Sequence, residues 1–128
     1  MQFSCQRLVD VFLAVPVGQI DHPNAEQLKE ALAPVLDAAL LGKCALVLDF
    51  SQVDYISSMG LRVLLMAAKQ LRARNVRIAV GALQPVVKEI FEIARFNHVL
   101  EVFPTVREAL EQLSGAALAA YDDAAAKP

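Results

Sequence analysis

The chain has 128 residues, 56% of them hydrophobic and 20% charged, with a formal net charge of −2 and a pI near 5.6. That length suits one core domain; the apolar fraction excludes a disordered chain, and no stretch reaches the roughly 20 apolar residues of a bilayer crossing. Mild acidity supplies no field for phosphate backbones, so neither direct nucleic-acid binding nor membrane insertion is expected. In chain order, Phe3–Leu8 and Val11–Val17 are rich in β-formers around a short Val9-Asp10 connection, which predicts a hairpin ended by Gly18. Asp21-His22-Pro23-Asn24 then caps an apolar series at Ala25, Leu28, Leu32, Val35, Leu36, Ala39 and Leu40 with helical spacing. Pro34 lies inside that series and should kink or break the helix near Ala33, because it lacks an N–H and crowds the carbonyl four residues back. Gly42 marks the helix end.

Ala45–Phe50 reads as a buried central strand, followed by a polar loop and an amphipathic helix from Ser57-Ser58 to about Arg74. A strand at Val76–Val80, a helix from Gln84-Pro85 to Arg95, a strand at Val99–Phe103 and a helix opened by the capping box Thr105-Val-Arg-Glu108 complete the pattern. Strands alternating with helices after a hairpin predict an α/β fold with a mixed, mostly parallel sheet. The domain is expected over residues 1–114, and the alanine-rich residues 115–128, with Asp122, Asp123 and Lys127, as a frayed helix or disordered tail.

Catalytic equipment is scarce. Cys5 and Cys44 form no C-x-x-C, His22 and His98 lack the spacing of paired metal ligands, and neither phosphate-loop pattern occurs, so no metal or other cofactor is expected. The first residues, Met1 to Arg7, lack the basic-then-apolar pattern of a signal peptide, which points to a cytoplasmic domain with reduced thiols. Ser58 as a catalytic nucleophile would need a base and an orienting group that the sequence does not place beside it.

The stretch Asp49-Phe-Ser-Gln-Val-Asp-Tyr-Ile-Ser-Ser-Met-Gly-Leu-Arg-Val-Leu-Leu65 stands apart from ordinary core-building. Ser57-Ser58 can cap a helix for about 1 kcal/mol. Gly60 costs roughly 1 kcal/mol inside a first turn relative to alanine, which implies a close approach to the helix start. This stretch, with Gly18-Gln-Ile-Asp21 and Asn24-Ala25, resembles the signature of the STAS domains, shared by bacterial anti-sigma factor antagonists and the cytoplasmic ends of sulfate transporters. The resemblance covers roughly residues 1 to 113. It implies that the serine two residues before the glycine, Ser58, is phosphorylated, with Ser57 the competing acceptor, because many members have Asp where Ser57 stands and Ser or Thr where Met59 stands.

The implied function is that of an anti-sigma factor antagonist in a partner-switching pathway. The unphosphorylated form would bind an anti-sigma factor serine kinase, phosphorylation at Ser58 would release it, and a metal-dependent serine phosphatase would restore it. The domain would be a substrate of both enzymes and not itself an enzyme. Asp21, His22 and Asn24 are implied beside Ser58, with turn formation and helix capping the alternative reading. Asp54, Ser57, Met59, Gly60 and Arg62 complete the implied partner-binding set. The alternative function is a non-switching STAS subunit of a lipid-transport or stress-sensing complex.

Overall fold

In the computed structural model, which describes residues 1–126, six strands form one sheet with helices on both faces. β1 (Gln2–Leu8) and β2 (Val11–Ile20) are an antiparallel hairpin, followed by α1 (His22–Gly42), β3 (Ala45–Asp49), β4 (Val53–Ile56) and α2 (Ser58–Arg72). β5 (Ile78–Gly81), α3 (Pro85–Ile93), β6 (Glu101–Phe103), α4 (Val106–Leu113) and α5 (Gly115–Ala126) complete the described residues, with a 3-10 turn at Phe96–His98. The main order is β1-β2-β3-β5-β6, and every pairing after the hairpin is parallel, giving the expected mixed, mostly parallel sheet.

Period-two alternation divides two cores between the faces of the sheet. Leu46, Leu48, Ile78 and Val80 face α1, α2 and α3, where Phe91 packs edge-on to Phe50 at 6.1 Å between ring centroids. Val11, Leu13, Val47 and Ala79 point the other way, against Val106, Ala109 and Leu110 of α4 and Ala117 of α5. Each fully buried Leu or Phe contributes about 1.5–3 kcal/mol of hydrophobic stabilisation, so the central strands are clamped from both sides. Among the described residues no helix is long and apolar enough to cross a membrane.

Four expectations need correcting. β2 does not end at Gly18 but runs on to Ile20. Gly18 adopts φ +107°, a conformation open to glycine, and there the strand exchanges β3 for β4 as its partner. The polar loop after Phe50 contains β4, which pairs with that continuation of β2. Of the kink or break expected at Pro34, the break does not occur and α1 runs through it: the one forfeited hydrogen bond lies on a side where Glu30 and Pro34 are both exposed, while Leu32, Val35, Leu36 and Ala39 hold both halves to the core.

The last correction concerns the tail. Ser114 Oγ accepts from the Ala117 amide at 3.1 Å and thereby starts α5, whose Ala117 is fully buried. The same hydroxyl donates to Asp10 in the hairpin turn, and Arg107 pairs with Asp122 at 3.0 Å, so α5 is docked rather than frayed. The end of the expected tail, residues 127–128, lies outside the described residues.

Candidate functional site

The site is assembled where two parallel strands end side by side. β2 and β4 pair through Ile20 and Ile56, and the chain leaves each strand directly into a helix, α1 or α2. The Ser57 amide donates to the Ile20 carbonyl at 2.8 Å, tying the two exits together. Both helix N-termini therefore open on the same edge of the molecule, each with unpaired amides and the positive end of a helix dipole.

Each exit is capped by its own side chain. Asp21 accepts from the Asn24 amide at 3.0 Å, and the Asn24 carboxamide donates to the Gln19 carbonyl at 2.8 Å. Ser57 Oγ accepts from the Gly60 amide at 3.2 Å. The two adjacent serines are thereby distinguished: Ser57 is the half-buried N-cap, while Ser58 is exposed as the first helical residue and makes no side-chain hydrogen bond among the described residues.

Gly60 explains how the exits fit so closely. A Cβ there would lie 2.7 Å from Ile20 Cγ2 and 2.8 Å from Ile56 Cγ1, so the close approach is made by the chain's own two strand ends. Gly60 is buried and cannot itself meet a partner, which corrects its place in the expected docking set.

The other expected residues separate into two groups. His22, Met59 and Arg62 line one groove between α1 and α2, together with Glu26, Lys29 and Val63. Asp21, Asn24 and Ser57 are beside them, but their side chains are engaged in the caps just described. Asp54 stands on β4: Gly18 pairs with Val53 and Gln19 with Tyr55, leaving Asp54 without a partner on β2 and its side chain exposed. Among the described residues no three His, Cys, Asp or Glu side chains cluster as metal ligands would.

A STAS domain model matches residues 5–109. The chain belongs to the STAS domain family. This STAS domain is 40% identical over 104 residues to the candidate anti-sigma factor antagonist BtrV of Bordetella bronchiseptica, covering 81% of this chain and 84% of that protein. It is 31% identical over 96 residues to the anti-sigma-B factor antagonist of Listeria monocytogenes, covering 73% and 77% respectively. The fold likeness extends to the crystal structure of a candidate anti-sigma factor antagonist from Thermotoga maritima, with a TM-score of 0.79 at 20% identity over 87% of this chain and 93% of that one.

Charge is distributed unevenly around the STAS site. Residues 55–88 contain six Lys or Arg and no Asp or Glu, so α2 carries cations alone: Arg62, Lys69 and Arg72. Sequence reasoning missed Lys29, Val63 and Met66, which extend the groove along α1 and α2. The helical spacing of Met59, Val63 and Met66 was the available signal, but it could not show that they stay partly exposed beside α1. The Arg77 guanidinium is held above its ordinary pKa chiefly by its hydrogen bond to Glu101, and burial pushes the Cys5 thiol up. Neither residue lines the groove.

Proposed function

We propose that this STAS domain is an anti-sigma factor antagonist switched by phosphorylation of Ser58. The observation that carries the choice of residue is the division of labour between the serines: Ser57 is held as the cap of α2, whereas Ser58 presents a free, exposed hydroxyl one residue later. The names of the relatives at 40% and 31% identity support the antagonist role. An anti-sigma serine kinase transfers the γ-phosphoryl group of ATP to Ser58 Oγ, ADP departs and the hydroxyl proton is lost. A metal-dependent serine phosphatase hydrolyses the ester, returning the hydroxyl and inorganic phosphate. The domain acts in the cytoplasm as a substrate of both enzymes, with no catalytic role of its own.

The site makes that modification cheap for the fold and costly for the complex. A phosphoserine brings about −1.5 to −2 charges, and the unpaired amides and dipole at the start of α2 accommodate them. Within a docked interface the same dianion would be desolvated and would repel partner carboxylates. A loss of 4 kcal/mol weakens binding about a thousandfold, so one exposed hydroxyl suffices as a switch.

Calorimetric titration of the cognate anti-sigma kinase tests the reading. Ser58→Ala is expected to bind like the parent and Ser58→Asp to bind at least about a hundredfold more weakly, a loss of roughly 2.7 kcal/mol. After incubation with kinase and ATP, phosphate is expected on Ser58 and not on Ser57. Equal binding by both variants would reject the switch and favour a constitutive STAS subunit.

A further inference from the structure

Ser58 and Arg62 are four residues apart at the start of α2, one turn along the same face, and both are exposed. Helical side chains lean toward the helix N-terminus, so the turn that carries Ser58 is within reach of the long side chain of Arg62. Arg62 has no ion pair among the described residues, where the salt bridges are Arg77–Glu101 and Arg107–Asp122. Its own helix offers no carboxylate, and the nearest acids in sequence are Asp54 and Glu89. Across the groove α1 presents His22, Glu26 and Lys29; Asp21 is engaged with the Asn24 amide; Asp54 and Tyr55 stand on β4.

We propose that Arg62 is the internal partner of phosphorylated Ser58. The inference rests on the Ser58 reading and adds a second half to the switch. In the free-hydroxyl form Arg62 is an available cation on the docking face. When Ser58 carries phosphate, the guanidinium donates to the phosphate oxygens and is withdrawn from that face. Modification then both adds a dianion and removes the cation that a partner carboxylate would meet, which sharpens the contrast between the two states. It also ties the phosphate to its own helix, consistent with a fold that need not rearrange.

The test installs phosphoserine at position 58 during synthesis of the full chain, so that no kinase is needed. The second ionisation of the phosphate is followed by phosphorus NMR in low salt, in a His22→Asn background that takes the imidazole out of the groove. A neighbouring cation favours the dianion, so the midpoint, ordinarily about 6, is expected to lie about half a pH unit lower with Arg62 present than in Arg62→Gln. In 1 M salt, where the Debye length is about 3 Å, the difference should largely vanish. Equal midpoints at low salt would overturn the pairing. Because the phosphate is placed synthetically, that result leaves Ser58 standing as the kinase target; kinase labelling of a different residue would instead reject the Ser58 reading while leaving the pairing measurable.

Discussion

Residues 57 to 60 give two adjacent serines different structural positions, Ser57 as the cap of α2 and Ser58 as its exposed first residue. The sequence made both serines candidates, because either hydroxyl can serve at a helix start. The backbone course distinguishes their structural positions: Ser57 has extended φ/ψ and caps, and Ser58 has already entered the helix. Gly60 was legible as a signal of close approach, but the object approached was not, since Ile20 lies 40 positions away in sequence. Gly60→Ala tests that packing. Alanine favours a helix by about 1 kcal/mol, but its methyl would collide with two buried β-branched side chains that have little rotamer freedom. Overpacking of this kind typically costs 1–3 kcal/mol, so a net destabilisation of about 1–2 kcal/mol in urea denaturation is expected. An unchanged or raised midpoint would show that the strand ends are not pressed against the helix.

Among the elements, strong helical periodicity and the apolar runs of β3, β5 and β6 were readable, and β4 was not. α2 buries Leu64, Ala67, Ala68 and Leu71 at the spacing its sequence announces. β4 has only four residues, with Asp54 and Tyr55 both exposed between buried Val53 and Ile56, so its pattern lacks the alternation that reveals a strand. Its strand character depends on pairing with β2, a non-local contact. Pro34 is the converse case, in which a strong local signal was overridden by burial on the opposite face of α1. The cost of the proline persists even though the helix does. Pro34→Ala restores a backbone donor at an exposed position and should stabilise the domain by about 1–2 kcal/mol, after the roughly 3 kcal/mol helix penalty is reduced by the greater freedom of the unfolded alanine chain. A rise in the thermal midpoint with an unchanged far-ultraviolet helix signal is the expected result. A fall would mean that the proline ring itself supplies packing.

At the scale of the whole molecule, the sheet separates support from presentation. α1 and α2 cover one face and present their N-termini at the site, while α4 and α5 close the other face. A chain ending at Ser114 would uncover the second core around Ala117, Leu118 and Tyr121 and lose the Arg107–Asp122 pair. Both charges of that pair are about half exposed, so it contributes less than about 1 kcal/mol, and the apolar contacts dominate. The truncation should lower stability by about 2–3 kcal/mol and speed hydrogen exchange in β1 and α4, yet leave kinase binding within about twofold, because α5 packs on α4 and β1 and not on the groove. Unchanged exchange would refute the docking of α5. The alanine-rich end was misread because a weakly amphipathic run has little helical stability alone and acquires it by burial against another element. The amino-acid sequence by itself determined the alternation of strands and helices, the apolar sets that would be buried, and the serine-rich helix start; these follow from side-chain chemistry at short range. Tertiary structure alone decided which serine was left free, that β2 would leave β3 for β4, and that the starts of α1 and α2 would share one groove, because each depends on contacts between residues tens of positions apart.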